Sequence, residues 1–195
     1  MNKDILINDL MSLEEYSKHR SEFRKGILLH KQYRNLQIGD AVKLFFEDRR
    51  TILYQIQEML RIEKIFEEDG IREELSSYNP LIPNGDNWKA TMMIQYTDPQ
   101  ERQIALSKMV GIEDCVWVKV GDNELIYAVA DEDLDRTRED KTSSVHFLRF
   151  QFDSEILDEI NETASIVFGI DHKHYDTNTG DIEGKLKTSI VNDLD

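Results

Sequence analysis

One cysteine, Cys115, in 195 residues excludes an internal disulfide framework and any cysteine-built cluster within one chain. Of three prolines, two lie in Asn79-Pro-Leu-Ile-Pro-Asn-Gly85, a stretch that suits a loop rather than a linker between domains. No run approaches the ~18 apolar residues of a membrane span. The opening MNKDILINDL lacks the basic start and apolar core of a signal peptide, so a cytoplasmic location is expected. Positive charge is scarce: 24 Lys and Arg stand against 39 Asp and Glu, a formal −15. Binding to nucleic acid rewards cations through counterion release, so a general nucleic-acid role is disfavoured. An acidic nucleic-acid mimic would need regularly spaced acids, and none occur. Also missing are a phosphate-binding glycine loop, a G-x-S-x-G elbow, an H-E-x-x-H pair and the paired E-x-x-H helices of a di-iron bundle. Internal repeats and low-complexity segments are absent as well.

What remains reads as a folded domain. A chain of this length buries roughly 70% of its unfolded surface, and its Ile, Leu, Val and Phe recur in ordered patterns. Ser12 and Glu15 form a capping box for a helix over 12–29. Alternation of Val42, Leu44 and Phe46 with Lys43, Phe45 and Glu47 predicts a strand. A long amphipathic helix is expected over 50–69, stopped by Gly70. Further strands are expected over 91–96, 116–120, 125–130, 145–152 and 164–170, with 116–130 as a hairpin. Asp98-Pro99 opens a helix toward Gly111, Asp153 caps a short one to about Ile160, and Ile182, Leu186 and Ile190 suit a terminal helix. The expectation is one α+β domain over 1–195, with about six mostly antiparallel strands, four or five helices, and a loosely attached terminal helix within 176–195.

Charge is unevenly spread. Lys18, Arg20, Arg24, Lys25, Lys31 and Arg34 accompany a single acid, Glu22, between Tyr16 and Arg34, whereas Asp131 to Asp140 holds six acids against Arg136 and Arg138. Such a pattern suits a homo-oligomer or a steered protein partner, or simply two solvated faces.

Two polar residues sit on apolar faces. On the wheel of the 50–69 helix, Ile52, Leu53, Ile56, Met59, Leu60 and Phe66 share one face, with Tyr54, Gln57, Arg61 and Glu68 opposite. Glu63 lies near the centre of the apolar stripe. A carboxylate enclosed there needs a partner: a buried ion pair or hydrogen bond, a divalent metal, or a proton in acid–base chemistry. The remaining alternative is that it lies at the end of the core and reaches water. On the 145–152 strand, His146 shares its face with Leu148, Phe150 and Phe152, which suits a satisfied core histidine or a partner for Glu63. Arg149, on the other face, is the natural counter-ion or anion clamp. Asp171-His172-Lys173-His174 could supply metal ligands or form a polar turn, and Asp131-Glu132-Asp133 could cap a helix or hold a cation. The candidate catalytic set is thus Glu63, His146 and Arg149; the candidate metal set is Glu63, His146, Asp171 and His172. Cys115 reads as an inert packed thiol.

As a set, Phe46-Glu-Asp-Arg49, Tyr54-Gln-Ile-Gln-Glu-Met-Leu-Arg-Ile-Glu63, Tyr78-Asn-Pro-Leu-Ile-Pro83, Ala130-Asp-Glu-Asp-Leu134 and Thr142-Ser-Ser-Val-His-Phe-Leu-Arg-Phe150 resemble a bacterial domain-of-unknown-function family. The likeness runs from the helix after Ser12 to Asp171-His172. It supplies no catalytic residues to transfer. Members of that family are often encoded beside rubrerythrin and an iron–sulfur oxidoreductase, which implies a role in redox or peroxide stress by association. Two functions follow as expectations. One is an accessory protein working through contacts with itself or with those redox proteins; the other is a metal-dependent or acid–base enzyme with its site between the 50–69 helix and the sheet.

Overall fold

The computed structural model describes residues 4–134, 136–138 and 140–194, and among them lie six α-helices and nine strands. The expected α+β architecture is present. Helix α1 (Leu13–Lys31) leads to the hairpin β1 (Asn35–Ile38) and β2 (Val42–Phe46), and then come α2 (Arg49–Glu63) and α3 (Glu68–Tyr78). Strand β3 (Asn87–Ile94), α4 (Pro99–Lys108), β4 (Val116–Val120), β5 (Ile126–Tyr127), β6 (Val129–Ala130) and β7 (Val145–Gln151) follow. The chain closes with α5 (Ser154–Glu159), β8 (Ile166–His172), β9 (Tyr175–Asp181) and α6 (Gly184–Val191).

All pairings are antiparallel, in a five-stranded sheet of order β1-β2-β3-β7-β6 and a four-stranded sheet of order β5-β4-β8-β9. Period-two alternation decides which side chains meet between them. Val42, Leu44 and Phe46, Trp88, Ala90 and Met92, and Leu148 and Phe150 point inward from the first sheet to meet Val116, Val118, Ile166, Phe168 and Ile170 of the second. Phe168 sits at the centre, with its ring 5.4 Å from those of Phe46 and Phe150 and 5.7 Å from Trp88. A second apolar cluster, built on Ile52, Ile56, Leu60, Leu75 and Ile82, holds the helical lobe together.

The expected 50–69 helix is two helices. Asp48 caps α2 by accepting from the Thr51 amide, and Lys64 ends it in the left-handed conformation at φ 55°. Gly70, expected as the stop, lies inside α3 instead. Gln57, assigned to the solvent face, is buried because the Met11 backbone covers it: its Oε1 accepts from Met11 N at 2.7 Å.

The 125–130 strand also divides. Ile126–Tyr127 pairs with β4, whereas Val129–Ala130 pairs with β7, so the chain passes from one sheet to the other across Ala128. At the opposite side Tyr175 staples the sheets, donating to Ile38 O at 2.7 Å and accepting from Ala41 N at 2.8 Å. Within 176–194 the terminal helix is present as α6, packed against the core. Most of β9 lies there, and α6 buries Ile190 completely, with Trp88 Nε1 donating to its carbonyl at 2.7 Å. Strands β1 and β9 were not expected, and the polar run Tyr175 to Asp181 shows why: its partner β8 carries the apolar face.

Candidate functional site

The outer face of the five-stranded sheet carries the alternate residues of each strand, and four charged side chains line up across it. Glu47 follows β2, Lys89 lies in β3, Arg149 in β7, and Glu132 two residues beyond β6. Lys89 and Arg149 are directly opposed in the β3–β7 register, with Asn87 opposite Gln151 beside them. The end of α3 and the loop after it overhang this face, contributing Ser76, Ser77, Pro80, Leu81 and Asn84, and enclose a cavity of about 580 Å³.

Each charged group is held differently. Arg149 makes a two-pronged contact with Glu132, Nε to Oε2 and Nη2 to Oε1 both at 2.7 Å, while its Nη1 donates to Gln151 Oε1 at 2.7 Å. Those bonds hold the Glu132 carboxyl below the usual carboxylate range. Lys89 donates to the Pro80 carbonyl. Burial, and then the Arg149 charge, push its amine below the ordinary lysine range, against weaker opposition from Glu132 and Asp86.

Glu47 is 5% exposed and accepts two hydroxyl hydrogen bonds, from Thr51 at 2.6 Å and Thr91 at 2.7 Å. Among the described residues no cation stands within ion-pair distance of its carboxylate. Its backbone is fixed by the buried Arg34, whose Nη2 donates to Glu47 O at 3.0 Å and to Asp193 Oδ2 at 2.6 Å. Arg34 therefore belongs to the interior rather than to a solvated basic face. Asn87, 2% exposed, donates through Nδ2 to Asp86 Oδ1 at 3.0 Å and to Asn84, while its buried Oδ1 has no hydrogen-bond partner.

The expected sites are placed as follows. Glu63 is exposed, because α2 ends at that residue and Lys64 turns the chain away before the apolar stripe continues. The enclosed carboxylate is not there, and Phe66, assigned to the same core face, is also exposed. His146 is fully buried on the face assigned to it, but its polar partners are not Glu63. Its Nδ1 lies 2.6 Å from Asp131 Oδ2, and its Nε2 lies 2.9 Å from Thr142 Oγ1, 3.0 Å from Ser143 O and 3.8 Å from Glu113 Oε2. Both ring nitrogens are thus engaged, Nδ1 by the Asp131 carboxylate and Nε2 by the Thr142 hydroxyl and the Ser143 carbonyl. The imidazole stands between the Asp131 and Glu113 carboxylates, and the Thr142 and Thr137 hydroxyls donate to Glu113.

His146 thus lies beneath the sheet rather than in the cleft, while Arg149 lines the cleft. Asp171 and His172 are remote from both in their bonding. Asp171 accepts from Tyr127 OH at 2.5 Å; His172 Nε2 faces Val110 O at 3.2 Å, and its Nδ1 accepts from His174 N at 3.3 Å. Both His172 nitrogens are occupied, which leaves no lone pair for a metal. Among the described residues no group of three or more His, Cys, Asp or Glu is arranged to hold a metal ion. The four-residue metal set is therefore not assembled. Of the acidic run after Ala130, Asp131 bonds His146, Glu132 bonds Arg149 and Asp133 bonds Arg136; Asp135 and Glu139 lie outside the described residues.

Residues 4–194 match the family described as "Protein of unknown function (DUF3501)". The chain belongs to that family. A DUF3501-like fold is also seen in the 1.90 Å crystal structure of a protein of unknown function from Burkholderia pseudomallei K96243, which is 44% identical over 100% of both chains with a TM-score of 0.92. Comparison with curated proteins finds no match. No helix among the described residues is long and apolar enough to cross a membrane.

Sequence reasoning missed Glu47, Lys89, Asn87 and Glu132 as members of one site. A signal for Lys89 was present: it alternates with Trp88 and Ala90, so it occupies the opposite face of a strand whose inner face is wholly apolar.

Proposed function

We propose that the chain binds a small organic acid in the cleft between the outer sheet face and the end of α3, with Lys89 and Arg149 as its electrostatic seat. The observation that carries this reading is the placement of two cations directly opposite each other on paired strands, inside a cavity. Like charges in that position destabilise a sheet. Glu132 is bonded to Arg149, while Lys89 bonds a carbonyl oxygen, so an incoming anion would meet an ammonium with no carboxylate bonded to it. The volume suits a small metabolite, and Phe147, Leu81 and Pro80 supply apolar wall.

Thermal shift and calorimetry with pyruvate, citrate and inorganic phosphate test the reading. A ligand that binds only the folded chain raises its melting temperature. Stabilisation by a carboxylate that is lost in Lys89→Gln is expected; stabilisation that survives unchanged in Lys89→Gln would remove Lys89 from the site.

A second reading draws on Ile62 and Phe66, which are 55% and 72% exposed around the end of α2. A contiguous apolar patch there would mark a protein contact. On this reading the chain is an accessory protein that works through self-association or through contact with rubrerythrin or an iron–sulfur oxidoreductase. Analytical ultracentrifugation of the chain alone and with each redox protein, before and after Phe66→Asp, tests it. A partner-independent sedimentation profile identical in both forms would end it.

A further inference from the structure

Resting on the organic-acid reading of the cleft, we propose that Lys89 is a nucleophilic amine that forms a Schiff base with a small aldehyde or 2-oxo acid. Lys89 sits in β3, the middle strand of five, so its backbone is held by ladders on both sides and its side chain emerges at a fixed place in the cavity.

Its company is unusual for a lysine. Among the described residues its hydrogen-bond partner is the Pro80 carbonyl rather than a carboxylate, and the Arg149 guanidinium occupies the opposed position on β7. A carboxylate partner would favour the ammonium. A carbonyl oxygen needs one N–H, which the neutral amine still provides, leaving the nitrogen lone pair unengaged. An amine that is partly desolvated and next to another cation is the arrangement that activates lysine toward carbonyl carbon. Burial and the Arg149 charge both act in that direction here.

The step balances without oxidant or reductant. The ammonium first releases one proton, and the neutral nitrogen donates its pair to the carbonyl carbon. A C–N bond forms as the carbonyl π pair moves to oxygen. That oxygen takes up two protons, one from the nitrogen and one that replaces the proton first released, and leaves as water, giving a protonated C=N. The net change is ammonium plus carbonyl to protonated imine plus water. Glu47, which lines the same cavity and accepts from two hydroxyls, is the carboxylate we assign as proton carrier. The acid group of the ligand is favoured by the Arg149 side of the cavity.

The test uses the full chain with pyruvate and sodium cyanoborohydride, followed by peptide mass spectrometry. Reduction of the imine fixes a carboxyethyl group on the lysine that formed it. The expected result is modification of Lys89 roughly tenfold or more faster than of exposed lysines such as Lys18 and Lys185. Modification spread evenly over the lysines would overturn the proposal. Lys89→Arg, which keeps the cation, separates this inference from the binding reading. If pyruvate stabilises both wild type and Lys89→Arg and no Lys89 adduct forms, the Schiff base fails and anion binding stands. If pyruvate stabilises neither form and no adduct forms, both fail.

Discussion

Asp131 and His146 meet at 2.6 Å across the edge where β6 joins β7. Asp131 takes up φ 48°, a left-handed conformation that costs a non-glycine residue of order 1 kcal/mol or more. Its second oxygen accepts from Phe147 N at 2.9 Å, so one carboxylate fastens both the imidazole and the neighbouring strand. The next residue is Glu132, which clamps Arg149. The buried histidine therefore sets the position of a cleft acid that it does not touch.

Removing that imidazole takes from Asp131 and Glu113 the side chain between them, while Asp131 keeps Arg136 at 3.2 Å. His146→Ala should lose about 1–3 kcal/mol of stability, the usual cost of leaving a buried polar partner unsatisfied. Urea denaturation measures it. A loss below about 1 kcal/mol would mean that the acids find other company.

Glu132 competes with any bound acid for the Arg149 guanidinium. Glu132→Gln frees that fork, and carboxylate affinity should rise about tenfold, the size of one added charge-assisted contact. Calorimetry with pyruvate or citrate gives the answer. Weaker binding would show that Glu132 serves to aim Arg149 rather than to occupy it.

Lys89→Met removes a half-buried ammonium from beside a guanidinium. The depressed lysine costs stability wherever the unfolded chain would hold the proton more tightly, so the methionine form should be more stable by about 0.5–1 kcal/mol at neutral pH. It should also lose carboxylate binding. A gain in stability with a loss of binding marks a functional residue; a loss in both would mark a structural one.

Acid sensitivity has an identifiable source in the helical lobe. Glu58 accepts from Arg20 at 2.7 and 2.8 Å and from Tyr16 at 2.7 Å, and those bonds lower its carboxyl from 4.5 to about 2. The stabilisation is complete above the ordinary value near 4.5 and drains away as the pH falls toward 2, because the unfolded chain takes up the proton first. Urea midpoints measured across that range should fall more steeply in wild type than in Glu58→Gln, which has no such proton to take up.

Glu63→Gln should change stability by no more than about 0.5 kcal/mol, as for other exposed positions. A larger loss by thermal melting would place that carboxylate in a contact the fold does not show.

How much of this was legible depends on the range of the interactions. Strand β7 was readable with its faces correctly assigned, because alternation is local: His146 is inside and Arg149 outside, as the pattern requires. The helix wheel failed at Glu63 because it assumes that a helix continues. The Lys64 turn carries no glycine, asparagine or proline to announce it, and the glycine that seemed to stop the helix lies in the next one. Residues 125–130 read as one strand because each half has strand composition; only the identity of the neighbour, β4 or β7, separates them. The cleft itself was hidden. Glu47, Lys89, Glu132 and Arg149 come from four segments, and their alignment depends on a strand order that no local pattern encodes.

Ala128 and Tyr175 lie at opposite margins of the stacked sheets, one as a covalent crossing and one as a phenol shared by three backbone groups. With both margins fastened, the two layers cannot slide past each other without breaking β-ladder bonds. The cleft floor is thereby a fixed template: β3 and β7, which carry Lys89 and Arg149, are each laddered on both sides, and the spacing of the two cations is set by the sheet rather than by the helices above it.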